Sequence, residues 1–154
     1  MRLETISGDD PREMLRALRA AVLGSGPAIS VGMPTSAVDA AARPASREVP
    51  AGTAVVVTTS GSSGVPKSVM LSRSALTSSA LSTAARIGEG AWLLALPASY
   101  VAGLQVLVRS LVQGHEPAIL SGKFTAEAFA ATALGMTSSV GGTRGPSDTP
   151  LVPA

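Results

Sequence analysis

The sequence contains no cysteine. Disulfides, thiolate metal sites and a cysteine nucleophile are therefore excluded together. It contains a single histidine, His115. A zinc site of two or three histidines is excluded, and any Ser-His-Asp arrangement would have to use that one imidazole. Aromatic residues make up only 3%, so the core must be Ala, Val and Leu, which suits layered helices and strands. Charge is scarce too: 14% of residues are charged against 45% hydrophobic, which makes the chain greasier than an ordinary soluble domain. The 12 basic and 10 acidic residues leave a formal charge of +2. That is too little for the clustered basic field that nucleic acid or an anionic membrane requires, so neither is expected as a partner. Residues 1–10 carry Arg2, Glu4, Asp9 and Asp10 and no apolar leader segment, so a cytoplasmic chain is expected. At 154 residues, one domain with its own core is expected.

Residues 91–108 are almost uncharged and long enough to span a bilayer, but Pro97, Ser99, Tyr100, Gly103 and Gln105 interrupt them. They read as a buried strand, a turn and a buried helix. The rest of the pattern alternates in the same way. Asp9-Asp10-Pro11 opens a helix, and Met14, Leu15, Leu18, Val22 and Leu23 recur at helical spacing. Residues 28–31 read as a short strand. Residues 32–50, rich in Pro, Ala and Ser, fit no single element. Residues 53–59 are β-branched apart from Ala54 and read as a buried strand. A second short strand is expected at 69–71. Ser72 then caps a helix to about Ile87, with Leu76, Ala80, Leu81 and Ala84 on one face. After the strand at 91–96, a helix at 102–113 turns Leu104, Leu107, Val108, Leu111 and Val112 inward. A strand at 117–120 and a Thr125-capped helix from Ala126 to about Leu134 follow, with Glu127 in its first turn. This alternation predicts an α/β fold: a layered, mostly parallel sheet with helices on both faces. Residues 1–136 form the expected structured part. Residues 137–154 are expected to be a flexible Gly/Ser/Pro-rich tail ending in the start of one more strand, at 151–154.

The chemistry is concentrated in Thr58-Thr59-Ser60-Gly61-Ser62-Ser63-Gly64-Val65-Pro66-Lys67. Gly61 and Gly64 let the backbone turn its N–H groups toward one point. Thr58, Thr59, Ser60, Ser62 and Ser63 supply five hydroxyls, and Lys67 adds a full positive charge. No carboxylate is present to repel an anion, so the segment reads as a trap for a polyphosphate. Two other readings stand beside it. One is a flexible Ser/Gly linker, against which count the apolar strand before it and the Pro-Lys step after it. The other is a Walker A loop, but Pro66 occupies the place of its second glycine and has no N–H to donate.

The stretch TSGSSGVPK, from Thr59 to Lys67, resembles the Ser/Thr/Gly-rich phosphate loop of the adenylate-forming superfamily over nine positions. Many members have glycine where Ser68 stands. Residues 92–110, WLLALPASYVAGLQVLVRS, are similar to a segment of actinobacterial o-succinylbenzoate–CoA ligases of menaquinone biosynthesis. Residues 149–153 resemble the next strand of that family.

The resemblance implies an incomplete, N-terminal portion of the adenylate-forming fold. It implies ATP-dependent acid–CoA ligation through an acyl-adenylate, with ATP, Mg2+ and coenzyme A as co-substrates and a small carboxylic acid as partner. Carried over by position, Thr59, Ser60, Gly61, Ser62, Ser63, Gly64 and Lys67 are the nucleotide-binding residues. Tyr100 stands where many members place an aromatic-His pair against the acyl group; the alternative is a core tyrosine with a paired hydroxyl. Gly103 is assigned to the same pocket, and either permits a close helix approach or only starts a helix. Arg109 is expected to hold a structural hydrogen bond or ion pair. His115 is expected at a helix C-terminus on the surface, and Arg12, Arg16 and Arg19 on a solvated face. No catalytic base and no metal ligand is assigned. No Tyr-Gly-x-Thr-Glu or Thr-Gly-Asp segment occurs in the sequence, so the chain is expected to be a truncated form that does not turn over alone and that associates with itself or with a complementing chain. A non-catalytic nucleotide- or partner-binding module, and one half of a split enzyme, remain alternatives.

Overall fold

The computed structural model describes residues 1–24, 26–31, 48–59, 67–139 and 152–153. Its first sheet has the order β1-β2-β3-β4, from β1 (Leu3–Ile6), β2 (Ala28–Val31), β3 (Thr53–Thr59) and β4 (Lys67–Ser72). The first three strands are parallel, and β4 runs antiparallel to β3. A second sheet places β5 (Trp92–Leu94) between β6 (Ala118–Ile119) and β7 (Val152–Pro153), all parallel. The strand expected at 151–154 is thus seen as a short pairing of Val152 with Trp92 and Pro153 with Leu93. Residues 32–47 and 140–150, the unplaced stretch and most of the expected tail, lie outside the described residues.

Helix α1 (Pro11–Val22) starts as its sequence dictates. Asp10 accepts a 2.8 Å hydrogen bond from the backbone N–H of Arg12, and Pro11 takes the first helical position. Met14, Leu15, Leu18, Ala21 and Val22 are buried, while Leu23, beyond the last turn, is 62% exposed. Helix α2 (Arg73–Ile87) is capped by Ser72, whose hydroxyl accepts from Ala75 N–H at 3.1 Å. Of the apolar face expected for it, only Leu76 and Ala80 are buried, and Leu81 is 55% exposed. Five residues carry Leu81 about 140° around the helix from Leu76, which puts it on the outer side.

Helix α3 (Val101–Gln113) is the central one. Gly103, Leu104, Val106, Leu107, Val108, Ser110 and Leu111 are all buried, a wider band than a one-sided helix shows. It ends at Gly114 in the left-handed conformation, with the His115 N–H bonded to the Ser110 carbonyl at 3.0 Å. Helix α4 (Ala126–Ser139) runs past the expected end near Leu134, so the expected domain boundary after residue 136 falls inside it. No helix among the described residues is long and apolar enough to cross a membrane.

The main core joins both sheets. Ile29 and Val31 of β2, Val55 and Val57 of β3, and Trp92 and Leu94 of β5 meet the inner faces of α1, α2 and α3. Side chains alternate along the strands, as the strand period requires. Leu93 therefore turns to the other face of β5, against Ala133 and Met136 of α4. Ala28 and Val56 turn to the second face of the first sheet, against Val49, Met1 and Leu3. Helices thus cover both faces of the second sheet. β1 was not foreseen: its four residues include Glu4 and Thr5, and an edge position needs little apolar surface.

Candidate functional site

Strands β1, β2 and β3 run the same way, so their carboxyl ends share one rim of the first sheet. Ile6, Val31 and Val57 stand in register across it, and β3 continues past them to Thr58 and Thr59. There the chain enters the Ser/Gly-rich segment. Ser60, Gly61, Ser62, Ser63 and Gly64, five of the expected nucleotide-binding residues, lie outside the described residues, as do Val65 and Pro66. The two residues that bracket them are described. Thr59 pairs with Lys67 and Thr58 with Ser68 across the β3–β4 hairpin. The Thr59 hydroxyl donates to the Lys67 carbonyl at 3.4 Å, and the hydroxyls of Thr58 and Ser68 lie 3.4 Å apart. Lys67 is exposed. The segment is therefore the connection of an antiparallel hairpin, with both of its ends fixed by the ladder.

This geometry separates it from a Walker A loop, which leads directly into a helix. Here β4 runs back along the whole of β3 before Ser72 caps α2, and Arg73 N–H bonds to the Gly52 carbonyl at 2.9 Å, at the opposite end of β3. No helix dipole is aimed at the rim from α2. Positive charge there comes from Lys67.

The second group of expected residues belongs to the turn between β5 and α3. Tyr100 stands at the N-cap of α3 and is 46% exposed, so it is not a core tyrosine. Leu96 and Val101 beside it are 40% and 44% exposed. All three follow the carboxyl end of β5, a parallel strand, and that is where α/β folds place ligands. Gly103 is buried, and a Cβ on it would lie 2.3 Å from the Pro97 carbonyl oxygen. The close-approach reading of Gly103 is the one that fits. The β1–α1 turn ties this region to the first sheet: Gly8 lies against Ser99. The Ser99 side of that turn therefore lies beside the residues that follow β1, and β1 stands two strand spacings, about 10 Å, from β3 in the sheet. The described residues of both groups, Thr59 with Lys67 and Tyr100 with Gly103, thus follow the carboxyl ends of parallel strands, β3 and β5.

Other singled-out residues are structural. Arg109 lies over the Trp92 ring, 4.7 Å from its centroid, in place of the expected hydrogen bond or ion pair. Arg12, Arg16 and Arg19 are exposed and line an open cleft of about 550 Å³ with Glu116, which pairs with Arg19 at 2.8 Å. Sequence reasoning missed Arg73. Its guanidinium donates to the carbonyls of Ala21 at 2.7 Å and Gly26 at 3.3 Å, pinning the end of α1 to the start of α2. No three of His, Cys, Asp and Glu converge among the described residues.

Residues 5–140 match the sequence profile of the AMP-binding enzyme family. The chain belongs to this family. It is 40% identical to the probable 2-succinylbenzoate–CoA ligase of Mycobacterium tuberculosis over 121 residues, which are 77% of this chain and 31% of that protein. It is 38% identical to the 2-succinylbenzoate–CoA ligase of Bacillus velezensis over 76 residues, 47% of this chain and 15% of that one. Among solved structures, it shares the fold of the o-succinylbenzoate coenzyme A synthetase of Bacillus subtilis in complex with ATP and magnesium ion. That match has a TM-score of 0.61 at 20% identity and covers 88% of this chain and 38% of the other. The expected kinship is therefore established: an adenylate-forming acyl-CoA ligase family, with ligase relatives acting on 2-succinylbenzoate. The chain spans less than a third of the mycobacterial relative's length.

Proposed function

We propose that this chain supplies the polyphosphate-holding and acid-facing rim of an ATP-dependent acid–CoA ligase of the o-succinylbenzoate type. The observation that carries the reading is one of placement: the Thr59–Lys67 hairpin end follows the carboxyl end of β3, the Tyr100 turn follows that of β5, and Gly8 after β1 ties the second to the first sheet. The kinship with 2-succinylbenzoate–CoA ligases supports the choice of acid.

In the proposed reaction a carboxylate oxygen attacks the α-phosphorus of ATP, and the bond to the β-phosphate oxygen breaks. Pyrophosphate leaves with its charge, and the acyl-adenylate remains. The thiol of coenzyme A then attacks the acyl carbon, and AMP leaves. Lys67, with Thr59, Ser60, Ser62, Ser63 and the backbone at Gly61 and Gly64, holds the β- and γ-phosphates and stabilises the charge that builds on the leaving group. Mg2+ bound to the triphosphate would neutralise part of its charge, leaving Lys67 and the hydroxyls to meet the rest. Tyr100, with Leu96 and Val101, offers a flat apolar surface to the ring of an aromatic acid, and Gly103 keeps that turn close to α3.

By itself the chain is inactive in this reading. The 154 residues contain no Tyr-Gly-x-Thr-Glu or Thr-Gly-Asp segment, the family's elements for adenine, magnesium and ribose. Transition-state binding requires several such elements to converge.

Acid-dependent exchange of pyrophosphate into ATP tests the reading. The chain alone should show none. A chimera in which it replaces the matching segment of the mycobacterial ligase should show exchange with o-succinylbenzoate and not with acetate. A folded chimera without exchange would overturn the assignment, and exchange by the chain alone would overturn its inactivity.

A further inference from the structure

The turn that carries Tyr100 is gripped by glycines from two sides. Gly8, two residues beyond β1, is buried. A Cβ on it would lie 2.2 Å from Ser99 Cβ and 3.1 Å from Ser99 Cα. On the other side, a Cβ on Gly103 would lie 2.3 Å from the Pro97 oxygen, 2.9 Å from its carbonyl carbon and 3.2 Å from Ala98 Cα. Neither glycine is among those with positive φ, so space, not backbone freedom, is what each provides. Apart from Ser99 Oγ, 3.1 Å from the Gly8 position, the atoms they face are backbone or Cβ atoms, which cannot swing aside as a flexible side-chain tip can. Between the two grips lie only Pro97, Ala98, Ser99 and Tyr100. Ala98 is fully buried, and the turn closes with Tyr100 N–H on the Pro97 carbonyl at 3.1 Å.

We propose that Gly8 is a positioning residue for Tyr100: its missing side chain lets the β1–α1 turn seat Ser99, and that seat fixes where the neighbouring Tyr100 stands on the rim. A methyl group on Gly8 falls roughly 1.5 Å short of van der Waals separation from Ser99, so Ser99 must move and carry Tyr100 with it. The consequence for acid affinity rests on the reading of Tyr100 given above; the seating of the turn does not.

Tyr100 is the chain's one tyrosine, so labelling with 3-fluorotyrosine gives a single 19F resonance that reports its surroundings. Gly8→Ala should shift that resonance while far-UV circular dichroism stays unchanged. Gly8→Ala with Ser99→Gly removes the Cβ met at 2.2 Å and should return the resonance toward its original position. Gly135→Ala, with nothing within 4 Å of the added carbon, should leave it unmoved. A resonance unaffected by Gly8→Ala, or not restored by Ser99→Gly, overturns the proposal. Should Gly8→Ala fail to fold, the double variant decides: folded with the original resonance it supports the proposal, and unfolded it overturns it. Titrating o-succinylbenzoate on the same resonance separates the two claims. Gly8→Ala should bind the acid about tenfold more weakly, a loss of about 1.4 kcal/mol. If the resonance responds to the mutations but to the acid in no variant, the acid-facing reading of Tyr100 fails and the seating of the turn stands.

Discussion

The guanidinium of Arg109 lies over the indole of Trp92, 4.7 Å from the ring centroid. One turn further along α3, Gln113 accepts from the same indole N–H at 3.3 Å and from the Gly90 N–H at 3.2 Å. Helix α3 thus holds the first residue of β5 by the face and by the edge. Trp92 is 1% exposed and is the middle strand's anchor in the second sheet. Removing the guanidinium exposes the ring face and loses a partly desolvated cation–π contact. Arg109→Ala should lower the unfolding free energy by about 1–2 kcal/mol. Denaturant unfolding followed by emission of the single tryptophan measures this, and an unchanged midpoint would show that the contact contributes nothing.

Ser110 lies in the same helix, fully buried, and its hydroxyl has no hydrogen-bond partner among the described residues. A buried hydroxyl without a partner carries its desolvation cost uncompensated. Ser110→Ala should therefore be neutral or stabilise the fold by up to about 1 kcal/mol. A clear loss of stability in the same titration would reveal a partner for that oxygen.

Two helical glycines should respond in opposite senses to alanine. At Gly103 the new methyl would meet the Pro97 carbonyl at 2.3 Å, and at Gly135 it would meet nothing within 4 Å. Gly103→Ala should cost about 1–3 kcal/mol by overpacking. Gly135→Ala should gain about 0.5–1 kcal/mol through reduced backbone entropy of the unfolded chain. Equal thermal midpoints for the two variants would contradict the close approach.

Ser72 caps α2 at the end of the hairpin remote from the rim. Ser72→Ala should cost about 1 kcal/mol of stability and leave nucleotide affinity where it was. An affinity that fell in step with stability would mean that the N-terminus of α2 reaches the phosphates after all.

Much of this arrangement was legible from the residues. Asp10-Pro11, Ser72 and the β-branched run at 53–59 each announce an element through a local mechanism, and each element begins where they place it. Relations between distant segments were not legible. The antiparallel return of β4 was foreseen only as a short strand, because residues 67–72 are mostly exposed and carry no alternating signal. Leu81 belonged to an apolar pattern that tertiary packing does not use. Arg109 is expected from the sequence to hold a structural hydrogen bond or ion pair, whereas the ring that receives it comes from a strand earlier in the chain. The contact of Gly8 with Ser99 spans most of the chain and left no trace in either segment alone.

Calorimetric titration of the chain with Mg-ATP, comparing the natural sequence with Lys67→Ala, reaches the central claim most directly. Lys67 is the charged residue that the ladder fixes opposite Thr59 at the hairpin end. The natural chain should bind, and the variant should bind about tenfold or more weakly, as expected for one charge-assisted hydrogen bond to phosphate. Identical isotherms for the two proteins, or no heat from the natural chain, would contradict the account.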